Sequence, residues 1–484
     1  MSVVKDLKPR LLWKRFEEIS RIPRCSKHEE KIKDYIINFA EEQKLEYKLD
    51  ETGNVVIKKP ADKGMEAKPI VILQGHMDMV CEKNSDVTFD FSKDSIQLVK
   101  KDDILTAKGT TLGADNGIGV AAALAILEDD SLTLGPIEAL FTVDEETGLT
   151  GAFALSDDML NGRILLNLDS EDWGVITVGC AGGGNSEITL PVSKKNVDAS
   201  LIWLKANVRG LRGGHSGIDA HEQRGNAVKI LTRILWKADH NTDGIALADF
   251  SGGDKHNAIP REAHAIIGVP AKNKENLERI MNKEADHILK EYKPIDPKFS
   301  FKLTDMDTQT TMLTKESKKT FLHLVHGLPH GVEKMSYDIK GLVETSTNLA
   351  KATIEDDHAF IMLSSRSSIM SALQDLRDRI HATTILAGGS VEEEEPYPGW
   401  KPDLDSNVLK LAKQIYKKKY GKDPVVEAIH AGLECGIIGE KYGGMDMISI
   451  GPTIKYPHSP EEQITISTVE PFYDFVVNIL EEIK

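Results

Sequence analysis

Five short segments place acidic or histidine side chains directly after apolar runs or in predicted turns. They contain His76 in QGHMD, Asp115 in GADNG, Glu145 and Glu146 in DEETG, Asp169 in NLDSED, and His458 in YPHSP. Imidazole and carboxylate ligands without thiolate are typical of catalytic zinc, cobalt or manganese sites, whereas structural zinc sites are usually rich in cysteine. A carboxylate can also bridge two cations about 3.5 to 4 Å apart. The residue types therefore favour a catalytic site with two divalent metals.

Each feature has an ordinary alternative when it is taken alone. A His-x-Asp pair such as His76 and Asp78 is common on exposed strands, and adjacent glutamates usually face water. The combination favours the metal site, because carboxylates gathered at the ends of several buried strands would repel and desolvate one another without a cation.

The apolar runs that precede these segments predict the fold. Val71–Gln74, Ile137–Val143 and Ile164–Leu168 are typical of short buried strands, and Asn116–Leu127 is typical of a buried helix between the first two. Such alternation predicts an α/β fold with a mostly parallel central sheet and helices on both faces. Ligands of these sheets bind beyond the carboxyl ends of the strands, which is where the polar segments lie.

The pattern changes in the middle of the chain. Residues 187–397 contain longer amphipathic strands, such as Leu201–Val208, and predict a second α/β domain inserted into the first. The first domain is then formed by residues 1–186 and 398–484. The acidic run Glu392–Glu395, which precedes two prolines, predicts an extended linker or hinge at the second boundary.

Composition excludes several classes of protein. The chain has 484 residues and a net charge of −16, a balance that disfavours nucleic acid and anionic lipid as partners. The longest apolar run, Val120–Leu127, is too short to span a membrane, and the amino terminus lacks the pattern of a secretory signal. We therefore expect a cytoplasmic protein whose cysteines, at positions 25, 81, 180 and 435, are reduced and mostly packed.

Seven segments in fixed order carry a resemblance to a known family. They are QGHMDMV, LGADNGIG, TVDEETGLTGA, NLDSED, GLRGGHSGIDAHEQRGNA, HNAIP and YPHSPEE, and they span nearly the whole chain. Together they resemble the co-catalytic metallopeptidases related to aminoacylase and bacterial carboxypeptidase G, and within that clan the aminoacyl-histidine dipeptidases.

The resemblance implies a role for each residue of the metal motifs. Two divalent ions, zinc in the first place and cobalt or manganese as alternatives, would be held by His76 and Asp169 on one side, by Glu146 and His458 on the other, and by Asp115 as the bridge. Asp78 would orient the His76 imidazole. Glu145 would be the general base that activates the metal-bridged water and later protonates the leaving amine.

Further implied roles fall in the inserted domain and near the carboxyl terminus. His215 lies in a glycine-rich turn, which alone is more typical of a structural histidine, but the resemblance implies a hydrogen bond to the tetrahedral oxyanion, often across a dimer interface. Asn257, Arg366 and Gly432 would bind substrate. Arg366 is otherwise an ordinary arginine, yet a guanidinium fork matches the terminal carboxylate of a dipeptide.

The function implied is the hydrolysis of dipeptides with a free amino terminus, Xaa-His among them. The inserted domain would then be a lid and the contact surface of a homodimer. A tripeptidase or an N-acyl amino acid deacylase of the same clan stays open as an alternative, because only residues of the substrate pocket would separate them. An inactive metal-binding scaffold is a further alternative, against which the presence of Glu145 and Asp78 argues.

Overall fold

The computed structural model describes residues 2–197 and 200–484. The chain divides into two compact units. The first unit contains the chain up to Gly179 together with Trp400–Ala428 and Leu433–Lys484, and the second contains Cys180–Gly399 together with Ile429–Gly432.

The helices alternate with strands in the first unit and lie among longer strands in the second. In chain order they are Arg10–Ile19 (α1), Glu30–Glu42 (α2), Ala114–Glu128 (α3), Glu145–Gly148 (α4), Thr150–Ala154 (α5), Ala227–His240 (α6), Lys274–Tyr292 (α7), Lys315–Gly327 (α8), Met370–Leu386 (α9), Asn407–Tyr420 (α10), Glu434–Lys441 (α11) and Val469–Glu482 (α12). Among the residues described, no helix combines the length and the apolar character that crossing a membrane requires.

The strands of the first half of the chain are Glu46–Leu49 (β1), Val55–Lys59 (β2), Val71–His76 (β3), Leu98–Lys101 (β4), Ile104–Ala107 (β5), Ile137–Thr142 (β6), Ile164–Asn167 (β7), Val175–Cys180 (β8), Gly182–Pro191 (β9), Lys194–Asn196 (β10) and Leu201–Arg209 (β11). Those that follow are Ala246–Gly252 (β12), Ala263–Pro270 (β13), Ser300–Met306 (β14), Thr311–Leu313 (β15), Gly331–Met335 (β16), Val343–Ile354 (β17), His358–Ser367 (β18), Ser390–Glu393 (β19), Val425–Ile429 (β20), Asp446–Ser449 (β21), Ile454–Lys455 (β22) and Gln463–Thr465 (β23).

An eight-stranded sheet forms the centre of the first unit, in the order β1-β2-β6-β3-β7-β21-β8-β20. Its middle strands β6, β3, β7 and β21 run parallel, while β1, β2 and β8 add antiparallel pairs. Strands β3 and β6 are buried along their whole length, and helix α3 is buried on almost every side, as apolar runs without periodicity predict. The predicted α/β class with a mostly parallel core is confirmed.

A nine-stranded antiparallel sheet forms the second unit, in the order β14-β11-β13-β12-β17-β18-β9-β19, with β16 paired to β17. Its alternating burial leaves one face for the helices. The apolar stripes of α6, α7 and α8 join that face in one hydrophobic core. Strands β14 and β19 are the edges of this sheet.

The cysteines correct one prediction. Cys25 and Cys81 form a disulfide with their Cα atoms 5.6 Å apart, so the expectation that these two thiols are reduced was wrong. The pair is 56 residues apart in the chain and becomes adjacent only because the segment before α2 lies beside the segment after β3, where Cys25 bridges Met79. Cys180 and Cys435 are buried, as expected.

The acidic run before the second boundary differs in part from its prediction. Glu392 and Glu393 are not a linker but the end of strand β19, which pairs with β9 along four residues, whereas Glu394 and Glu395 follow the strand. Like charges do not prevent the pairing, because an edge strand keeps its charged side chains in water. The division between the units follows a few residues later, at Gly399 and Trp400.

Candidate functional site

The carboxyl end of β3 carries the first histidine of the site. The Nδ1 atom of His76 lies 3.2 Å from Oδ1 of Asp78, whose side chain is buried. Asp78 also accepts hydrogen bonds from the backbone N–H groups of Glu145 and Glu146, at 3.1 and 3.2 Å. Burial opposes ionisation, but the hydrogen bond with His76 and the other donors lower the pKa of Asp78 to about 2. Asp78 therefore fixes both the His76 ring and the turn that presents the two glutamates.

Asp115 lies between the two histidines of the metal motifs. Its Oδ1 is 3.1 Å from Nε2 of His76, and its Oδ2 is 3.2 Å from Nε2 of His458. The side chain reaches this position because the chain departs from helical geometry at Asp115, at the start of α3. One carboxylate thus faces two imidazoles with a separate oxygen for each, which is the arrangement of a bridging ligand.

A further acidic residue completes each half of the site. Oδ1 of Asp169, which follows β7, is 3.4 Å from Nε2 of His76. Oε2 of Glu146 is 3.0 Å from Nε2 of His458. The structure therefore forms two trios, each with its ligand atoms within 4.8 Å of one another: His76, Asp115 and Asp169, and Asp115, Glu146 and His458.

The chemistry of this donor set fits two divalent cations. All its donor atoms are nitrogen or oxygen, and Oε1 of Glu146 is buried without a hydrogen-bond partner among the described residues. Burial, together with the neighbouring carboxylates, raises the pKa of Asp169 to about 6 and raises the pKa of Glu145 well above its usual range. Cations would relieve this repulsion and satisfy the orphaned oxygen.

Glu145 lies beside the trios at the start of α4. His76, Glu145 and Glu146 form another group with ligand atoms within 4.8 Å, so distance alone does not distinguish a metal ligand from a free base. The two glutamates differ in their contact with His458. Glu146 contacts this imidazole, whereas Glu145 does not within the described residues.

The second unit fixes the protonation state of His215. Its Nδ1 accepts hydrogen bonds from the backbone N–H groups of Gly217 and Ile218, at 3.2 and 3.0 Å. Burial and the nearby Arg366 guanidinium lower the pKa of His215 to about 4. The ring is therefore neutral at pH 7, with its proton on Nε2 and available for donation.

Arg366 is buried near the end of β18, with 7% of its surface exposed. Its Nη1 donates to the Tyr397 hydroxyl at 2.8 Å, and its Nε has no partner among the described residues. Across the part of the chain that the structure describes, no carboxylate forms an ion pair with it. A desolvated guanidinium with free donors is suited to binding an anion.

The remaining predicted substrate residues also belong to the second unit. Asn257 is exposed, and its backbone carbonyl accepts a hydrogen bond from Ser216 at 2.8 Å, beside the bridge that joins His215 to Ala258. Gly432 lies in the short segment 429–432. The carbonyl oxygen of His430, in the same segment, lies so close to Gly217 that a Cβ atom there would be only 2.2 Å from it.

The structure adds residues that the sequence reasoning missed. Glu434 is buried, accepts hydrogen bonds from Gln74 and Thr142 at 2.6 and 2.8 Å, and has its pKa raised by burial to about 7. Ser26 donates to Asp78 at 2.8 Å. Glu462 binds the segment before Asp115. Only Glu462 had a signal in the sequence, since it ends the motif YPHSPEE.

Comparisons with known proteins find a matching family model and a full-length relative. Residues 72–482 match the model of peptidase family M20/M25/M40. The chain is 41% identical over 483 residues to the cytosol non-specific dipeptidase of Escherichia coli, a match that covers 100% of this chain and 99% of that protein.

Two solved structures are also similar to the chain. The crystal structure of aminoacylhistidine dipeptidase from Vibrio alginolyticus matches with a TM-score of 0.94 and 42% identity, over 100% of this chain and 98% of that one. The aminopeptidase PepT from Bacillus cereus shares the fold, with a TM-score of 0.56, 18% identity and 99% coverage of both chains.

Proposed function

The chain belongs to peptidase family M20/M25/M40, and on this premise we propose that it is a dinuclear-metal dipeptidase that acts on dipeptides with a free amino terminus, Xaa-His among them. It is a hydrolase of peptide bonds, as the full-length similarity to dipeptidases requires. The observation that carries the mechanism is Asp115, whose two oxygens face the His76 and His458 imidazoles separately.

Two divalent cations would be held by the two trios. His76 and Asp169 would hold one, Glu146 and His458 the other, with Asp115 shared. We propose zinc, with cobalt or manganese as alternatives, because the ligands are imidazole and carboxylate. When bound, the cations supply Lewis acidity to the scissile carbonyl and make the attacking water more acidic.

Glu145 moves the protons of the reaction. One of its carboxylate oxygens takes a proton from the attacking water and then gives it to the leaving amine nitrogen. Support for this role comes from the turn that Asp78 holds through the N–H groups of Glu145 and Glu146. In this turn Glu146 contacts His458, whereas Glu145 does not among the described residues.

His215 donates to the oxyanion in this proposal. Its Nδ1 is occupied by two backbone donors, so Nε2–H is the group that can stabilise the negative charge of the tetrahedral intermediate. The donor could come from the same chain or from a second copy. We propose a homodimer formed through residues 187–397, with this segment as the lid and residues 1–186 and 398–484 as the catalytic domain, and a cytoplasmic location like that of the cytosolic relative.

Arg366 binds the terminal carboxylate of the substrate, with Asn257 and Gly432 as further contacts. The buried guanidinium lacks a carboxylate partner among the described residues, and a substrate carboxylate would supply one. This ion pair would measure the distance from the scissile bond to the end of the chain, which restricts substrates to two residues.

Metal content and substrate range test the proposal together. The purified protein is stripped with a chelator, reconstituted with zinc, and assayed against Ala-His, other dipeptides, a tripeptide and an N-acetyl amino acid. We expect two metals per chain and the highest kcat/KM for dipeptides. Faster cleavage of the tripeptide or the N-acetyl compound would establish one of those activities instead, and bound metal without turnover would establish a scaffold.

A further inference from the structure

Glu462 makes an unusual set of hydrogen bonds for a buried carboxylate. Its Oε2 accepts from the backbone N–H groups of Leu112 and Gly113, at 2.8 and 2.9 Å. Its Oε1 accepts from those of Ala114 and Asp115, at 2.7 and 3.2 Å. Four consecutive donors therefore converge on one side chain that is 2% exposed. Ala114 and Asp115 are the first two residues of α3 and Leu112 and Gly113 directly precede it, so these N–H groups have no helical partner of their own.

A buried arginine contacts the same segment through its carbonyl groups. Arg24 is 2% exposed. Its Nη2 donates to the carbonyl of Gly113, and its Nη1 donates to the carbonyls of Met77 and Asp78, at 3.0 and 2.6 Å. The segment that ends in the bridging aspartate is thus held on its N–H side by Glu462 and on its carbonyl side by Arg24.

The backbone of Glu462 is fixed to the turn that carries the second histidine. Its N–H donates to the carbonyl of Ser459 at 3.0 Å, which closes the turn directly after His458. Its carbonyl accepts from the Thr106 hydroxyl at 2.7 Å, and Gln463 pairs with Thr106 in the β5–β23 ladder. The residue that directly precedes strand β23 thus carries the side chain that reaches to Asp115.

We propose that Glu462 is a positioning residue that holds Asp115 and His458 in register, and so sets how tightly the chain binds the cation shared by Asp115, Glu146 and His458. The inference rests on the proposed dinuclear site. Asp115 belongs to both trios but His458 to only one, so disturbance of Glu462 affects that second position more than the one formed by His76 and Asp169.

Substitution by glutamine isolates this role. Glu462→Gln keeps the volume but replaces one acceptor oxygen by an NH₂ group, which would face two of the four N–H donors. Glu462→Asp keeps the charge and shortens the side chain by one methylene, so it should recover part of the loss. Glu461→Gln is the matched control, because Glu461 is exposed. This substitution removes the same charge from the same turn.

The experiment is a zinc titration of the metal-free proteins in competition with a chelating dye. Partners that orient metal ligands typically change affinity by about 10- to 100-fold. We expect one of the two binding steps to lose at least about 10-fold in affinity in Glu462→Gln and less in Glu462→Asp, with the other step changed less and Glu461→Gln like wild type. Melting temperatures of the metal-free proteins are recorded in parallel.

The outcomes separate this inference from the proposed function. Wild-type protein that binds no zinc would refute the dinuclear site itself. Two unchanged binding steps in Glu462→Gln, with or without a lower melting temperature, would refute the positioning role and leave Glu462 as a structural residue. If Glu462→Gln does not fold, Glu462→Asp decides: wild-type affinity at both steps refutes the inference.

Discussion

Replacement of Arg366 by alanine tests how the protein measures substrate length. The guanidinium is 7% exposed, donates through Nη1 to Tyr397, and has an unpartnered Nε within the described chain. If this group binds the terminal carboxylate of a dipeptide, its removal leaves that carboxylate without a partner in a desolvated place.

The expected loss in kcat/KM follows from the free energy of the interactions that Arg366→Ala removes. A hydrogen bond to a charged group contributes about 1.5 to 3 kcal/mol, and removal of one partner of a desolvated charge pair costs roughly 2 to 5 kcal/mol. A central value of about 3 kcal/mol corresponds to a loss of about 150-fold in kcat/KM, since about 1.4 kcal/mol is tenfold. Lysine should restore only part of this, because a point charge cannot form two parallel bonds.

The assay compares a free dipeptide with the same dipeptide capped as its carboxamide. We expect Arg366→Ala to lower kcat/KM for the free dipeptide by about 150-fold and to change the poor turnover of the capped one little. Arg377→Ala is the matched control, since Arg377 is also buried but donates to the backbone carbonyls of Asn185 and Glu394 and pairs with Glu393. It should lower the melting temperature without distinguishing the two substrates. Equal losses for both substrates in Arg366→Ala would refute the reasoning.

Three further predictions concern the base, the oxyanion donor and the disulfide. Glu145→Ala should abolish turnover while both metals remain, and a parallel loss of metal would make Glu145 a ligand. His215→Ala should lower kcat by roughly 100-fold with a smaller change in KM, and a rise in KM alone would assign it to substrate binding. Because its pKa is lowered to about 4, His215 is neutral above about pH 5. Above that pH, the decrease of activity with falling pH should therefore be the same in His215→Ala as in the wild type. Reduction of Cys25–Cys81, which closes a loop of 56 residues, should lower stability by up to about 4 kcal/mol, measured as a lower melting temperature in reductant; an unchanged value would contradict this.

Mixed dimers extend the test of His215. If the His215→Ala and Glu145→Ala chains regain activity when they are combined, His215 acts on the site of a second copy. If the mixture stays inactive although the chains form dimers, His215 acts within its own chain.

The sequence by itself determined the central strands and the candidate metal-binding residues at their ends. The apolar runs predicted at Val71–Gln74 and Ile137–Val143 became the buried strands β3 and β6, because a short run of apolar side chains is stable only when both faces are covered. Parallel strands end at one edge of a sheet, so His76 at the end of β3 and Asp169 after β7 had to approach one another. Local patterning was enough for this part of the site.

Only the tertiary structure decided which distant segments support those ligands. Glu462 is 350 residues from Leu112, and no periodicity or spacing links the two. The contact of Glu434 with Gln74 and the pairing of Cys25 with Cys81 are equally non-local. A buried carboxylate has to find donors wherever the packed chain brings them, so its partners depend on the whole fold and not on the residues around it.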